Sequence, residues 1–409
     1  VKKGNAIILI GDGLGDRPVA ELGGRTPLEA AQRPNMNRLA TDGECGLMDP
    51  IAPGVRAGSD TAHLAMLGFD PYAVYTGRGP FEAVGIGLDV RQGDVAFRCN
   101  FSTVDDNMVV TDRRAGRITE GTDQLAAALN GMQIEDTTVL FKESVAHRAG
   151  MVLRGPGLGD KVNDADPHAE GLKVPEVIGQ DEASRKTARI LNQFIARAYE
   201  ALREHPVNKA RVAQGLPPAN IALPRGAGYA PHLGNFDERN HVKSACIVEV
   251  GLVKGIAKYL GMDVIDVDGA TGGLDTDVEA IGRAVIEAFR THDFILCNVK
   301  GPDVAGHDGK PEAKVAIIEK IDHMLGMVLA ELPADTYVVV TGDHSTPCSY
   351  GDHSGDPVPI LLWGPGVRTD DVHDFGERPC AHGGLGRIRG KDIMSILTGF
   401  IGVQEKFGA

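Results

Sequence analysis

The stretch DFILCNVKGPDVAGHDGKPEAKVAIIEKIDHMLGMVLAELPADTYVVVTGDHS, residues 293–345, decides the fold. Residues 293–299, DFILCNV, read as a strand. A loop bearing Asp303 and His307 follows. Residues 311–332 begin with proline and repeat apolar side chains at helical spacing. Residues 336–343 are a second apolar run, ending on Asp343 with His344 next. Strand, helix, strand in this order predicts a parallel pair joined by a crossover helix. Continuously apolar strands belong to sheets covered on both faces. Ligands of such sheets gather beyond the carboxyl ends of the strands, where Asp303 and Asp343 fall.

The same grammar extends outward. AIILI (6–10) is a strand ended by Gly11-Asp12-Gly13. Thr26-Pro27-Leu28-Glu29 starts a helix, with threonine as cap and proline in the first turn. CIVEVGLVKGIAKYLGMDVIDV (246–267) reads as strand, helix, strand, and VPILLWGPG (358–366) as a further strand of the same sheet. From 76 to 244 the pattern is choppier, with Gly/Pro clusters and alternating runs such as MVVTDRRAGRI. One long helical stretch covers 180–204, and GLPPAN (215–220) is a turn or linker. The expected class is α/β: a mostly parallel sheet sandwiched by helices. It is built from 1–75 and 245–409, with a smaller α/β domain inserted at 76–244.

A chain of 409 residues is long enough for two domains. The net charge of -14 argues against nonspecific nucleic-acid binding, which needs a basic surface. A small anion is still allowed, because a local arginine cluster overrides the global sign. The apolar run after VKKGN is too short for a signal peptide or a membrane span. The six cysteines stand far apart with no CxxC, as in a reducing, cytoplasmic protein. Cys348 lies near Asp343 and His344, but oxygen and nitrogen ligands there suffice without it. The sequence leaves a homo-oligomer open.

Seven residues are of the types that two divalent ions and a phosphorylated serine require. They are Asp12, Ser59, Asp303, His307, Asp343, His344 and His353. Two neighbouring metals clamp an in-line displacement at phosphorus. Asp303 and His307 are four residues apart, which places both on one face of a helical turn. Ser59, in Gly58-Ser59-Asp60-Thr61-Ala62-His63, suits a helix cap, the usual task of such a serine. A helix start also offers N–H groups to a phosphate, and metal coordination activates a hydroxyl. Mixed carboxylate and imidazole ligands suit manganese, and also cobalt or zinc; magnesium prefers oxygen alone.

These pieces, in this order, resemble the alkaline phosphatase superfamily, and more closely the archaeal-type cofactor-independent phosphoglycerate mutases. The stretches that carry the resemblance span nearly the whole chain. They are IGDGLGDRP, GSDTAHLAMLGFDP, CNFSTVDDNMVVTDRRAGRI, the run from LRGPGLGD to DADPH, GATGGLDTD, KGPDVAGHDG and TGDHSTPCSYGDHSGDPVP. The resemblance implies one manganese-like ion on Asp12, Ser59, Asp343 and His344, and another on Asp303, His307 and His353. It implies 3-phosphoglycerate and 2-phosphoglycerate as substrates, a phosphoserine intermediate, and no need for bisphosphoglycerate. A lysine beside the phosphoserine is also implied. Segment order favours Lys254, although Lys300 lies beside the metal loop.

A substrate with a phosphate and a carboxylate needs several cationic donors. The inserted segment offers Arg113, Arg114, Arg154 and Arg225, with His147 and Arg148 beside them. LRGPGLGD lacks the Gly-Lys-Ser/Thr ending of a P-loop. Asp164 and Asp166 are either general acid/base groups or turn residues. Hinges near 76 and 244 would let the insertion exclude water. Rival readings are a phosphatase, phosphoryl transfer to another small acceptor (a sugar-phosphate mutase or a homoserine kinase-like activity), and a silent regulator. The intact Ser59 and complete ligand set speak against the last.

Overall fold

The computed structural model describes residues 4–408; Val1–Lys3 and Ala409 lie outside the described residues. In chain order the strands are β1 (Asn5–Gly11), β2 (Glu44–Asp49), β3 (Val95–Val104), β4 (Val110–Asp112), β5 (Gln133–Ile134), β6 (Thr137–Glu143), β7 (Arg148–Arg154) and β8 (Ile221–Tyr229). They continue with β9 (Ser244–Val248), β10 (Asp263–Val264), β11 (Phe294–Val299), β12 (Thr336–Gly342), β13 (Val358–Trp363) and β14 (Gly386–Arg389). The chain forms two compact units. One runs to Val74 and resumes at Gly234; the other is Tyr75–Leu233. The short helix Phe236–Asn240 therefore belongs to the first unit.

The first unit holds an eight-stranded sheet in the order β10-β9-β11-β1-β12-β13-β2-β14. The pairs from β10 to β12 are all parallel. Alternate residues point to opposite faces. Ile7, Leu9, Ile295, Val338 and Val340 pack in one cluster with Ile281, Val285, Ile317, Ile321 and Leu325 of the helices Val278–Ala288 and Pro311–Glu331. On the other face Val339, Ile360 and Leu362 meet Ile393 and Leu397 of the helix Ile393–Phe400. Each such buried side chain contributes about 1.5–3 kcal/mol of transfer free energy. The sheet is therefore mostly parallel and sandwiched by helices.

One strand departs from the expected direction. β13 runs antiparallel to both β12 and β2. Between β12 and β13 the chain forms loops and turns but no helix. A parallel return needs a crossover of a dozen or more residues, usually helical. Residues 343–357 are instead spent on the loop that carries Asp343, His344 and His353, and the chain turns straight back.

The helix start at Thr26 is capped as its residues predict. Thr26 accepts from the Glu29 backbone N–H, Glu29 answers with the reciprocal bond, and Pro27 sits in the first turn. The predicted strand-helix-strand of 246–267 corresponds to β9, the helix Gly251–Tyr259 and β10.

The second unit has a six-stranded sheet whose pairs are all antiparallel. Its order is β4-β3-β7-β6-β5, with β8 also on β3. The helices Thr122–Leu129 and Glu182–Arg203 cover one face. There Phe101 meets Phe141 edge-on at a centroid distance of 5.8 Å, and Phe141 stacks on Phe194 at 6.1 Å. Among the described residues no helix is long and apolar enough to cross a membrane.

Candidate active site

Strand register builds the site. Gly11 is paired with Val299 on one side and Gly342 on the other, so three strands end level. The next residues, Asp12, Lys300 and Asp343, leave the sheet side by side. Asp303 follows on the helix Gly301–His307, and Ser59 heads the helix Ser59–Met66. Asp12, Asp343, His344, Asp303 and Ser59 are all buried.

The structure brings all seven candidates together. His344 Nε2 lies 3.3 Å from Asp343 Oδ2, 3.6 Å from Asp12 Oδ1 and 3.3 Å from Ser59 Oγ. His307 Nε2 and His353 Nε2 each lie 3.4 Å from Asp303 Oδ1. The His344 and His353 rings stack at 3.5 Å, which joins the two groups. Asp12, Asp343 and His344 offer ligand atoms within 4.8 Å of one another, as do Asp303, His344 and His353. Asp352 forms a third such trio with His307 and His353, although Arg56 also holds it at 2.5 Å.

Three observations show that these residues fit divalent cations. All three histidines commit Nδ1 elsewhere: His307 to Gly351 O at 3.0 Å, His353 to Ala57 O at 2.8 Å and His344 to Thr346 Oγ1 at 3.0 Å. Each Nε2 is thereby turned toward the carboxylates, as metal-bound imidazoles are arranged. Next, Asp343 Oδ1 accepts from the Gly13 and His344 backbone N–H groups, but its buried Oδ2 has no hydrogen-bond partner. Finally, three carboxylates face one ammonium, that of Lys300. Burial and the Asp343 charge push the Asp12 carboxyl above its usual range. Burial likewise pushes His344 down to about 3, so its ring stays neutral and free to ligate.

Lys300 Nζ bridges Asp12 Oδ1 at 2.8 Å and Asp303 Oδ2 at 2.7 Å. Burial opposes its charge, but Asp12, Asp303 and Asp343 outweigh this and hold it above the ordinary lysine range. Lys254 instead pairs with Asp266 at 2.5 Å, on a helix that packs against the one Ser59 heads. Ser59 does not act as a cap: Gly58 occupies that position and the serine side chain makes no cap bond. Cys348 stays out of the cluster, and its backbone N–H donates to Asp16.

Gly13 has no tolerable substitute. Its φ is +61, and an added Cβ would lie 2.9 Å from Asp303 Cα and 2.6 Å from Thr346 Oγ1. Gly13→Ala is expected to lose on the order of 3 kcal/mol of stability in urea unfolding, from strain and crowding together. An unchanged midpoint would show that the loop relaxes freely.

Comparison with known proteins settles the family. Residues 40–208 match the family described as 2,3-bisphosphoglycerate-independent phosphoglycerate mutase. A protein of that name from Methanothermobacter thermautotrophicus is 57% identical over 98% of this chain and 99% of its own. The chain belongs to the 2,3-bisphosphoglycerate-independent phosphoglycerate mutases. A relative of the same name from Methanocaldococcus jannaschii is 52% identical over the whole of both chains. A solved structure of the cofactor-independent phosphoglycerate mutase of Thermoplasma acidophilum superposes with a TM-score of 0.80. It is 40% identical and covers 98% of this chain and 100% of its own. A Pyrococcus horikoshii protein superposes at 0.85, with 41% identity and full coverage of both chains.

The second unit of this family member carries a cationic patch. Arg225 on β8 is paired in register with Arg98 on β3. The charges of Arg225, Arg78 and Arg148 add to the effect of burial in lowering the Arg98 pKa. His147 is held below its usual range by burial first, then by Arg148, Arg114 and Arg225. The buried Arg225 Nε and His147 Nδ1 lack hydrogen-bond partners. Arg113 grips the buried Asp166 through two bonds, of 3.1 and 2.7 Å. Asp164 accepts from Gly226 N–H at 2.7 Å and faces His168 at 2.9 Å. Both aspartates thus border the patch.

Arg154 is not brought to the patch. It is six residues beyond Arg148 on β7, roughly 20 Å along the strand. There it is spent on Asp94 and Asp89. Sequence reading also missed Arg98, Asn298, Thr346 and Asp352. Asn298 had a signal as the one amide inside the otherwise apolar strand FILCNV, and Arg98 as the one charged residue of the strand VAFRCNFSTV.

Proposed function

We propose that this chain interconverts 3-phosphoglycerate and 2-phosphoglycerate through a phosphoserine on Ser59. The observation that carries this reading is the position of Ser59 Oγ, 3.3 Å from His344 Nε2 at the edge of a complete ligand cluster. Asp12, Ser59, Asp343 and His344 would hold one divalent ion, and Asp303, His307 and His353 the other, manganese being favoured by the ligand types. Bound there, such ions lower the serine pKa and neutralise phosphoryl oxygens.

Ser59 Oγ attacks phosphorus, the new Oγ–P bond forms, and the bond from phosphorus to the glycerate 3-oxygen breaks. Lys300, held at the same edge, offsets charge on the transferring group. Arg114, Arg148, Arg225 and His147 supply the donors for carboxylate and phosphate, with Arg98 beside them. Asp164 is the candidate to give the 3-oxygen a proton and take one from the 2-hydroxyl; the 2-oxygen then attacks phosphorus, the 2-O–P bond forms, and the Oγ–P bond breaks to return Ser59. Asp166, committed to Arg113, orients that arginine. A cytoplasmic location belongs to the same reading, and the six free cysteines favour it.

The test is direct. Manganese-loaded protein is given 3-phosphoglycerate without bisphosphoglycerate, and both products are followed. Formation of 2-phosphoglycerate with little free phosphate is expected. Free phosphate as the main product would move the assignment to a hydrolase on the same core.

A further inference from the structure

We propose that Thr346 is a positioning residue shared by both halves of the ligand cluster: its hydroxyl sets the ring of His344 on one side and the carboxylate of Asp303 on the other. The proposal rests on reading that cluster as a metal site, and goes beyond it in naming what couples the two halves.

Thr346 is fully buried, two residues past His344. Its Oγ1 lies 2.7 Å from Asp303 Oδ1 and 3.0 Å from His344 Nδ1. A hydroxyl has one proton to give. An ionised carboxylate only accepts, so that proton goes to Asp303. The Oγ1 lone pair must then receive a proton from His344 Nδ1. This selects one imidazole tautomer and leaves the Nε2 lone pair facing Asp343, Asp12 and Ser59. The oxygen that Thr346 grips, Asp303 Oδ1, is also the one that His307 and His353 approach. One hydroxyl therefore touches a member of each ligand group.

The threonine is held from every side. Its backbone N–H donates to Gly15 O at 3.0 Å. Its carbonyl accepts from Lys314 Nζ at 2.9 Å. Lys314 is fully buried and spends its other protons on Gly15 O at 3.1 Å and Asp16 Oδ2 at 2.8 Å. This ammonium thus bolts the Asp12 loop to the His344 loop. Two glycines complete the clasp. A Cβ on Gly13 would strike Oγ1 at 2.6 Å, and one on Gly306 would meet the Thr346 methyl at 2.9 Å. A side chain wedged this tightly has no alternative rotamer to offer.

The experiment compares Thr346→Val, which keeps the shape and loses the hydroxyl, with Thr346→Ser, which keeps the hydroxyl. Manganese binding is titrated by calorimetry, and the His344 ring nitrogens are read by 15N NMR on metal-free protein. Thr346→Val is expected to weaken binding of both ions by about 10–100-fold and to lose the Nδ1–H tautomer, while serine restores both. Parent affinity in the valine variant, loss of one ion only, or a serine variant as weak as valine would each overturn the shared role. If valine lowers the melting temperature of the metal-free protein, Thr346→Ala replaces it in the same titration. A parent chain that binds no ion would sink the metal reading, and the ring spectra would then decide the role of Thr346 by themselves.

Discussion

Ser59→Ala is expected to abolish formation of 2-phosphoglycerate while leaving the fold in place. Loss of a nucleophile that acts with a whole constellation costs on the order of 10⁴-fold or more in rate. The residue is well placed to be removed cleanly. It makes no cap bond, so the helix it heads does not depend on it. Its side-chain contact among the described residues is with His344 Nε2 at 3.3 Å, and one hydrogen bond contributes about 1 kcal/mol net. Melting of the variant should therefore stay close to that of the parent. Acid quenching of the parent during turnover should yield a phosphorylated peptide containing Ser59. Retained mutase activity in the alanine variant would mean that another group carries the phosphoryl, and the proposed mechanism would fall.

Lys300→Met should show the second largest effect, on stability as well as rate. Its ammonium is the cation that bridges Asp12 and Asp303. Removing one partner of a buried ion pair leaves uncompensated charge and costs about 3–5 kcal/mol. The side chain is 19% exposed, so the lower end of that range is expected. Added manganese should recover much of the deficit, because new positive charge reaches the same carboxylates. The rate should drop by about 10²–10³-fold, as when a charge-stabilising group is removed. Lys254→Met is the comparison. Its partner Asp266 is largely exposed, and such pairs contribute about 0–1 kcal/mol. A variant at 254 that loses all activity while one at 300 turns over normally would reverse the assignment between the two lysines.

Much of the fold was legible because it is written in local periodicity. The apolar runs at 6–10, 294–299 and 336–342 and the helical spacing after Pro311 each need only neighbours a few residues away. The acidic residues that end those runs were legible for the same reason. The direction of β13 was not. Its apolar pattern is that of a parallel core strand, and direction depends on the connection before it. Arg154 shows the same limit. It is an arginine in a glycine-rich setting, as a phosphate contact would be, and only Asp94 at 2.7 Å reveals where it is spent.

By itself, then, the chain's sequence determined a mostly parallel α/β core, its carboxylates at strand ends, and the family. Those are properties of residue type, spacing and order. Only the tertiary structure decided that Lys300 rather than Lys254 bridges Asp12 and Asp303, that Gly58 rather than Ser59 caps its helix, and that Thr346 touches both ligand groups. The bond from Asn298 to Asp12 spans 286 positions, and that from Gly13 to Asp343 spans 330. No local pattern encodes such a contact. It exists because register levels three strand ends and packing then excludes water from the polar groups that meet there, which must satisfy one another.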